Sequence, residues 1–179
     1  RSAARLMRPI PSVCTAPDKF LKVIEEARDN SDYVIAFVHW GTEGNNYFGS
    51  DQVALAKQFV EAGVDVIIGG HTHCLQGMEY MDGVPIIYSL GNFCFGGNSS
   101  PSDMDTMIFQ QTFTFENGEK VEDQNARIIP CMVSSVKTRN DFRPTPATGE
   151  DKQRILKRMN EYSSAFCVAF DEDGGIIVN

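Results

Sequence analysis

The segment Val64-Asp-Val-Ile-Ile-Gly-Gly-His-Thr-His73 decides how the chain is expected to fold. Its first five residues are mostly apolar and β-branched, which is typical of a strand covered on both faces. Two glycines and then two histidines, separated by one threonine, follow directly. A segment of the same kind, residues 33–38, reads Tyr-Val-Ile-Ala-Phe-Val and leads into His39. The chain is therefore predicted to contain two buried strands, each followed at once by histidine.

The residues around these strands predict helices. Residues 42–50 are polar and rich in glycine and asparagine, which indicates a loop. A helix is expected over 51–62, with Ser50 as its cap and Gly63 as its stop. Apolar residues at helical spacing predict an earlier helix over 17–29. The order strand, helix, strand indicates a βαβ unit with parallel pairing, and therefore an α/β fold.

The second half of the chain changes character and favours antiparallel pairing, so we expect mixed sheets within one domain over 1–179. Asp82-Gly83 between two apolar runs is a strong hairpin signal. The other expected elements are a loop over 96–105, strands over 107–115 and about 121–136 around a turn at Asn117-Gly118, a linker over 140–149, a helix over 150–162 opened by a capping box of Thr148 and Asp151, and strands over 166–170 and 176–178.

Charge and length limit the classes of function. The chain has 179 residues and a formal net charge of -8, with no basic stripe, so a nucleic-acid partner is not expected. A small phosphorylated substrate is compatible with this charge when divalent cations are bound. No apolar run reaches the roughly 20 residues that a bilayer-spanning helix needs. The chain begins with Arg1 rather than Met, and we interpret it as a piece of a longer precursor whose remainder carries any export signal or anchor.

The five cysteines give no clear pattern. They are Cys14, Cys74, Cys94, Cys131 and Cys167, with no Cys-x-x-Cys pair. Scattered cysteines in odd number argue against both a disulfide framework and a four-cysteine zinc site. We expect buried free thiols.

All three histidines of the chain follow predicted buried strands. Ligands bind along the carboxyl edge of open α/β sheets, and imidazole is a common metal ligand. Residues i and i+2 of an extended stretch point the same way, so His71 and His73 are expected to face one crevice together with His39. We predict that these three residues bind metal. A strand-end histidine that only makes a structural hydrogen bond is the alternative for each one taken alone.

Other polar residues near these histidines admit several roles. Glu43 lies four residues after His39 and is a candidate ligand, a carboxylate that orients an imidazole, or a general acid. A solvated loop glutamate is equally compatible with its position. Asn92 is either a hydrogen-bond donor to a phosphate or carboxylate, or a turn residue. A structural zinc site of Cys74, Cys94 and the histidine pair is a weaker alternative, because its spacing matches no zinc motif.

Three motifs in order carry a family resemblance: His-Trp-Gly-Thr-Glu at 39–43, Gly-Gly-His-Thr-His at 69–73 and Tyr-Ser-Leu-Gly-Asn-Phe at 88–93. Together with their surroundings they resemble the CapA/PgsA family of poly-γ-glutamate capsule biosynthesis proteins, over about 17–95. That family is similar to calcineurin-like metallophosphoesterases. The resemblance implies a four-layer α/β/β/α sandwich, of which this chain would be the C-terminal part.

The resemblance also implies a metal centre. His39, His71 and His73 would be metal ligands, and Glu43 matches the family's glutamate, whose role the resemblance does not fix. We predict that His39 and Glu43 are the catalytic residues. The cofactors would be divalent ions of manganese, iron or zinc, two of them in the full-length protein. The Asp, Asn and His ligands of the family's earlier motifs do not occur before His39. We therefore expect that an N-terminal part supplies them, and that this chain alone leaves apolar strand surface uncovered and is not a competent enzyme.

Two functions are consistent with these features. The first is a capsule biosynthesis protein with a metal-dependent, phosphoesterase-like hydrolase site. The alternative is a non-catalytic component of a membrane-bound capsule synthase complex that binds or exports the polymer. The expected partners are the capsule polymer or a phosphorylated small molecule. The expected location is outside the cytoplasm, at the cell surface or on the membrane through the N-terminal part.

Overall fold

The computed structural model describes residues 17–117, 119–121 and 125–178. The helices are α1 (Pro17–Asn30), α2 (Ser50–Glu61) and α3 (Gly149–Ser163). The strands are β1 (Ile35–His39), β2 (Val66–Gly70), β3 (Met78–Met81), β4 (Val84–Ile87), β5 (Asp105–Gln111), β6 (Thr114–Glu116), β7 (Glu119–Val121), β8 (Ala126–Met132), β9 (Thr145–Pro146), β10 (Val168–Phe170) and β11 (Ile176–Val178). The predicted α/β class with mixed sheets is confirmed.

The predicted βαβ unit forms the centre of the first sheet. Its strand order is β1-β2-β4-β3, in which β1, β2 and β4 run parallel and β3 runs antiparallel to β4. The β3–β4 hairpin turns at Asp82 and Gly83, which both have positive φ, as the sequence predicted. In the β1–β2 register, His39 is opposite Gly70. The two histidine-bearing ends therefore lie side by side.

Helices α1 and α2 cover one face of this sheet. Ile24 of α1 and Phe59 of α2 pack in one buried cluster with Ile67 and Ile86 of the strands. The cap of α2 differs from the prediction, because Gly49 is the N-cap and Ser50 is the first helical residue. The cause is a hydrogen bond in which the Gly49 amide donates to the Gln52 side-chain oxygen at 3.1 Å. Gly63, with φ of 93°, follows the last turn as predicted.

A second sheet and helix α3 cover the other face. The second sheet has the antiparallel order β5-β8-β9. Met107 and Ile128 of this sheet pack with Ile155 and Met159 of α3. Ion pairs from Arg154 and Arg158 to Asp105 join α3 to the start of β5.

None of the helices in the described part of the chain combines the length and apolar character that crossing a membrane requires. The four-layer arrangement concerns the complete domain and stays a prediction.

Several predicted boundaries were wrong. The segment expected as a linker over 140–149 contains the short strand β9, which pairs with β8. The expected strand over 107–115 is two strands, β5 and β6. Of the segment expected as a strand over 121–136, the described residues contain β8 and the last residue of β7, Val121.

Two predictions about the segment after the linker also need correction. The segment 164–166 forms a single 3-10 turn that ends at Cys167, whose φ is 57°, so the predicted strand over 166–170 begins only at Val168. The capping box also fails, because the Thr148 side chain makes no cap hydrogen bond and Asp151 is paired with Lys137 and Arg154 instead.

The cysteines only partly match the expectation of buried thiols. Cys74 and Cys131 are buried, and this burial raises the pKa of each thiol. Cys94 and Cys167 are free but exposed, so the expectation was wrong for them. Both occupy loop or turn backbone that no helix or strand covers. Cys14 lies outside the described residues.

One strip of the first sheet is uncovered, as expected for this part of the fold. Ile35 and Phe37 of β1 are 45% and 72% exposed. They lie opposite Val66 and Ile68 of β2, on the face that the second sheet covers elsewhere. Among the described residues β1 pairs only with β2. This apolar strip of β1 ends at His39, so it leads directly to the candidate site.

A close side-chain contact reinforces the backbone hydrogen bonds between the three parallel strand ends. Trp40 follows β1 and Tyr88 follows β4, and the Trp40 indole nitrogen donates to the Tyr88 carbonyl oxygen at 2.8 Å. This hydrogen bond passes over β2 at Gly69. A Cβ atom at Gly69 would lie 2.0 Å from the Tyr88 carbonyl oxygen and 2.3 Å from the indole nitrogen. Only glycine fits at this position.

We expect Gly69→Ala to destabilise the fold by about 2–4 kcal/mol, because the methyl group must push apart a buried hydrogen bond. Gly70→Ala is the matched control, since its Cβ would meet only the Phe37 ring at 3.8 Å. That control should cost less than about 1 kcal/mol. Urea unfolding of the two variants measures the difference. Equal free energies of unfolding would contradict the role assigned to this contact.

Candidate metal centre

The structure brings the three histidines together at the carboxyl edge of the first sheet. The ring centroids of His39 and His71 are 4.3 Å apart, and those of His71 and His73 are 6.4 Å apart. This proximity follows from the parallel register, which sets the end of β1 beside the end of β2. The predicted convergence is confirmed, while the binding of metal stays a prediction.

The reason given for this convergence was wrong. The backbone from His71 to His73 is a turn rather than an extended stretch, with φ of 105° at His71 and 60° at His73. Residues other than glycine rarely adopt positive φ angles, and each residue held there stores strain of about 1–3 kcal/mol. The buried Thr72 between them holds the turn, because its hydroxyl is bonded to the Cys74 carbonyl oxygen and the Ser89 hydroxyl, each at 2.9 Å.

Asn92 fixes the orientation of the His73 ring. Its side-chain nitrogen donates to the His73 carbonyl oxygen at 3.2 Å, so its side-chain oxygen faces the His73 Nδ1 at 2.7 Å. An amide oxygen only accepts, and Nδ1 must therefore carry the hydrogen. In the neutral ring this leaves the lone pair on Nε2, the nitrogen that faces Glu43. Metal-binding histidines are commonly held in this way through their second nitrogen.

Glu43 lies at the same site, as expected. Its Oε1 is 4.0 Å from the His73 Nε2. The Glu43 side chain is 67% exposed, so its position depends on the loop rather than on burial. The Gly44 amide donates to the Thr72 carbonyl oxygen at 2.8 Å, which ties this loop to the histidine turn. Glu43 is thus a neighbour of His73, and its chemical role stays a prediction.

Buried amide side chains hold the rest of the Glu43 loop. Gln52 of α2 and Gln76 are 2% and 0% exposed. The Gln52 side-chain nitrogen donates to the Gln76 side-chain oxygen at 3.0 Å, and the Gln76 nitrogen donates to the Asn45 carbonyl oxygen at 2.9 Å. Asn46 donates to the Leu75 carbonyl oxygen at 2.9 Å. The loop before α2 is therefore fastened to the segment that follows His73.

The electrostatics of the cluster favour neutral imidazole at His39. Partial burial lowers the pKa of His39, and the neighbouring His71 and His73 lower it further. The Glu43 carboxylate acts in the opposite direction and raises it. Because neutral imidazole is the form that binds metal, this shift favours metal binding over protonation.

The donor set fits one divalent ion in its chemistry, although the ligands are not yet closed around one point. Three imidazoles and a carboxylate match the ligands that zinc, manganese and iron accept. As the side chains lie, no group of three or more His, Cys, Asp or Glu residues within the described ranges is arranged to hold a metal ion. The planes of the His39 and His71 rings are tilted by 47° to each other. Two ions would need further oxygen ligands.

The Cys2His2 alternative receives no support. Cys74 is buried, whereas Cys94 is exposed, so the two thiols lie in different environments. In the part of the chain that the structure describes, neither Cys74 nor Cys94 belongs to a group of three or more side chains that could hold a metal ion.

Two residues of the site were missed or undervalued by sequence reasoning. The sequence indicated a turn residue or a hydrogen-bond donor to a phosphate or carboxylate at Asn92. In the structure Asn92 is 6% exposed, and both the oxygen and the nitrogen of its side-chain amide are hydrogen-bonded to His73. Phe95 was not singled out, and its ring centroid lies 4.9 Å from that of His73. The position of Asn92 after a strand in the first sheet was the available signal for its role. Nothing in the local pattern indicated Phe95.

Comparison with known proteins identifies the family. Residues 3–97, more than half of the chain, match the family described as "Bacterial capsule synthesis protein PGA_cap". The chain therefore belongs to this family of bacterial capsule synthesis proteins. The match contains all three histidines, Glu43 and Asn92.

Two relatives from Bacillus show how the similarity is distributed. The "Capsule biosynthesis protein CapA" of Bacillus anthracis is 33% identical over 159 residues, which cover 86% of this chain and 36% of that protein. The "PGA biosynthesis protein CapA" of Bacillus subtilis (strain 168) is 42% identical over 86 residues, or 48% of this chain and 23% of that protein. The chain thus spans about a third or less of the length of these relatives.

We expect His39 to titrate below the ordinary histidine pKa of about 6.5 in the metal-free protein. His71→Asn should raise the His39 pKa by removing one neighbouring imidazole, and Glu43→Gln should lower it by removing the carboxylate. NMR titration of the three imidazoles measures these values. Because the unfolded chain takes up this proton at higher pH than the folded chain, acidification through this range should also reduce stability. A His39 pKa at or above 6.5 would refute the expectation.

Proposed function

We propose that this chain carries part of a divalent-metal-dependent hydrolase site that serves capsule polymer biosynthesis. His39, His71 and His73 would hold the cation, and Glu43 would act beside it. The arrangement of His73 supports this proposal most directly. Asn92 occupies its Nδ1, and the Nε2 lone pair faces the Glu43 carboxylate at 4.0 Å. A nitrogen lone pair beside a carboxylate oxygen is a favourable pair of ligands for one cation.

The cofactor and the protein residues would divide the work. A bound divalent cation supplies Lewis-acid polarisation of a phosphoryl or acyl oxygen. Asn92 keeps the hydrogen of His73 on Nδ1, and the strained turn brings the His71 and His73 ring centroids within 6.4 Å of each other. Glu43 would accept a proton from an attacking water as general base, or donate one to a leaving group. His39, kept neutral by its surroundings, would bind the cation or take part in this proton transfer.

A second cation would need ligands beyond these residues. Three neutral imidazoles and one carboxylate carry a single negative charge, which is too little to hold two adjacent dications. The acidic residues that precede β1 lie on or beside α1, on the helical face of the sheet. We infer that additional oxygen ligands come from the part of the protein beyond this chain.

A non-catalytic role is the second candidate, and the openness of the site favours it. No closed metal geometry exists among the described side chains, and Glu43 is largely exposed to solvent. An open cation site of this kind would suit the binding of a polymer through its carboxylates, which are good ligands for hard cations. In that case the chain would be a binding or export component of a membrane-bound synthase complex. Both candidates are expected to act outside the cytoplasm on the capsule polymer or on a phosphorylated small molecule.

Metal binding by the chain is the first test. We expect calorimetric titration with zinc or manganese to show one site, which His71→Ala abolishes. Asn92→Ala should weaken binding by about 10–100-fold, because it removes the group that orients His73. Cys94→Ser is the matched control and should bind as the parent does, whereas a Cys2His2 site would be lost. Unchanged affinity in the His71 variant would defeat the proposal.

Hydrolysis is tested by comparing this chain with a polypeptide extended to the length of its relatives. We expect metal-dependent turnover of a generic phosphodiester only in the longer protein, and its loss on Glu43→Gln. Metal binding without turnover in the longer protein would favour the polymer-binding candidate. Equal turnover by both polypeptides would contradict the need for additional ligands.

A further inference from the structure

The loop that carries Phe95 is held by one residue distant in sequence, Asn140. Asn140 lies between β8 and β9 and is only 2% exposed. Its side-chain nitrogen donates to the Phe95 carbonyl oxygen and to the Asn98 carbonyl oxygen, each at 2.9 Å. Its backbone amide donates to the Ser99 carbonyl oxygen at 2.7 Å. Three hydrogen bonds from one residue thus fix the loop over 95–99.

The orientation of the Asn140 amide is determined by these contacts. The side-chain oxygen accepts a hydrogen bond from the Phe142 amide at 2.8 Å. The nitrogen has two hydrogens, and both are used by the loop carbonyl groups. Replacing the nitrogen by an oxygen would set a carboxylate against two carbonyl oxygens. The interaction therefore requires asparagine in this orientation.

The loop bears directly on the candidate metal centre. The Phe95 ring lies against the His73 ring, with centroids 4.9 Å apart and planes tilted by 48°. Asn92 bonds the edge of the same imidazole through Nδ1. The Asn92 hydrogen bond thus limits rotation of the His73 ring about its Cβ–Cγ bond, and the Phe95 ring packs against its face. Together they direct Nε2 towards Glu43.

We propose that Asn140 is a positioning residue for the histidine site, acting through Phe95 on the orientation of His73. Asn140 lies outside the residues 3–97 that match the family, so the second half of the chain would contribute to the geometry of the site. The consequence for metal binding rests on the function proposed above. The mechanical link from Asn140 to His73 does not.

Asn160 provides a matched control. Its side chain also bridges two segments, since its nitrogen donates to the Phe170 carbonyl oxygen at 3.2 Å and its oxygen accepts from the Phe170 amide at 2.6 Å. It joins α3 to β10 rather than the loop over 95–99. Asn140→Asp removes a side-chain donor of two hydrogen bonds and Asn160→Asp removes a donor of one, and only the first faces the Phe95 loop.

The experiment uses NMR spectra of the imidazole groups in the metal-free 179-residue chain. The chain has three histidines, and each signal is assigned by its loss in a His→Gln variant. Phe95→Leu removes the ring current and should shift the His73 signals. Asn140→Asp should shift the same signals in the same direction, with smaller changes at His39 and His71. Asn160→Asp should leave all three in place.

Metal titration of the same proteins separates this inference from the proposed function. Asn140→Asp should weaken zinc affinity by about tenfold or more, as loss of an orienting group does. If the parent chain binds no metal but the His73 signals respond as expected, the proposed function fails and the positioning role survives. If metal binds and Asn140→Asp changes neither the His73 signals nor the affinity, the positioning role is refuted.

A measurement on the parent protein keeps the test decisive if Asn140→Asp does not fold. The two side-chain amide hydrogens of Asn140 should exchange slowly with solvent, because both are bonded and buried. Phe95 ring hydrogens should show a nuclear Overhauser effect to the His73 imidazole. Fast exchange of that amide, or absence of this effect, would overturn the proposal.

Discussion

The hydrogen bond from the Trp40 indole to the Tyr88 carbonyl oxygen sets the geometry on which the histidine site depends. It crosses β2 above Gly69 and so connects the ends of three parallel strands. Tyr88 is itself fixed, because its ring stacks on Phe48 with centroids 3.8 Å apart and its hydroxyl donates to the buried Glu79. Burial raises the pKa of Glu79. These contacts oppose separation of the strand ends, and the relative positions of the histidines depend on where those ends lie.

The sequence was sufficient for the features that depend on local pattern. Two buried apolar runs, separated by a helix with Gly63 at its end, predict parallel neighbours, and parallel neighbours place His39 beside the histidine turn. The β3–β4 hairpin was equally predictable from the sequence, because Asp82-Gly83 favours positive φ at both positions. In each case the information lies within a few residues, and burial of one face of a helix or strand leaves little choice.

Other features were beyond the reach of local pattern. The left-handed backbone at His71 and His73 is stabilised by Thr72 through Ser89, which lies 17 positions further along the chain. The failed Thr148–Asp151 capping box has the same kind of cause, since Asp151 is taken by Lys137 and Arg154. Contacts between side chains distant in sequence compete with the local conformational preference. Which of the two determines the observed conformation depends on the assembled fold.

The uncovered strip on β1 has a consequence for the behaviour of this chain in solution. Among the described residues β1 pairs only with β2, and a strand of this kind that exposes Ile35 and Phe37 is a surface onto which another polypeptide can pair or pack. The net charge of -8 opposes such contact between copies by mutual repulsion. Added salt screens that repulsion while leaving the apolar attraction intact. The solubility of the chain should thus depend on ionic strength, and Phe37→Lys should weaken that dependence by removing part of the apolar surface.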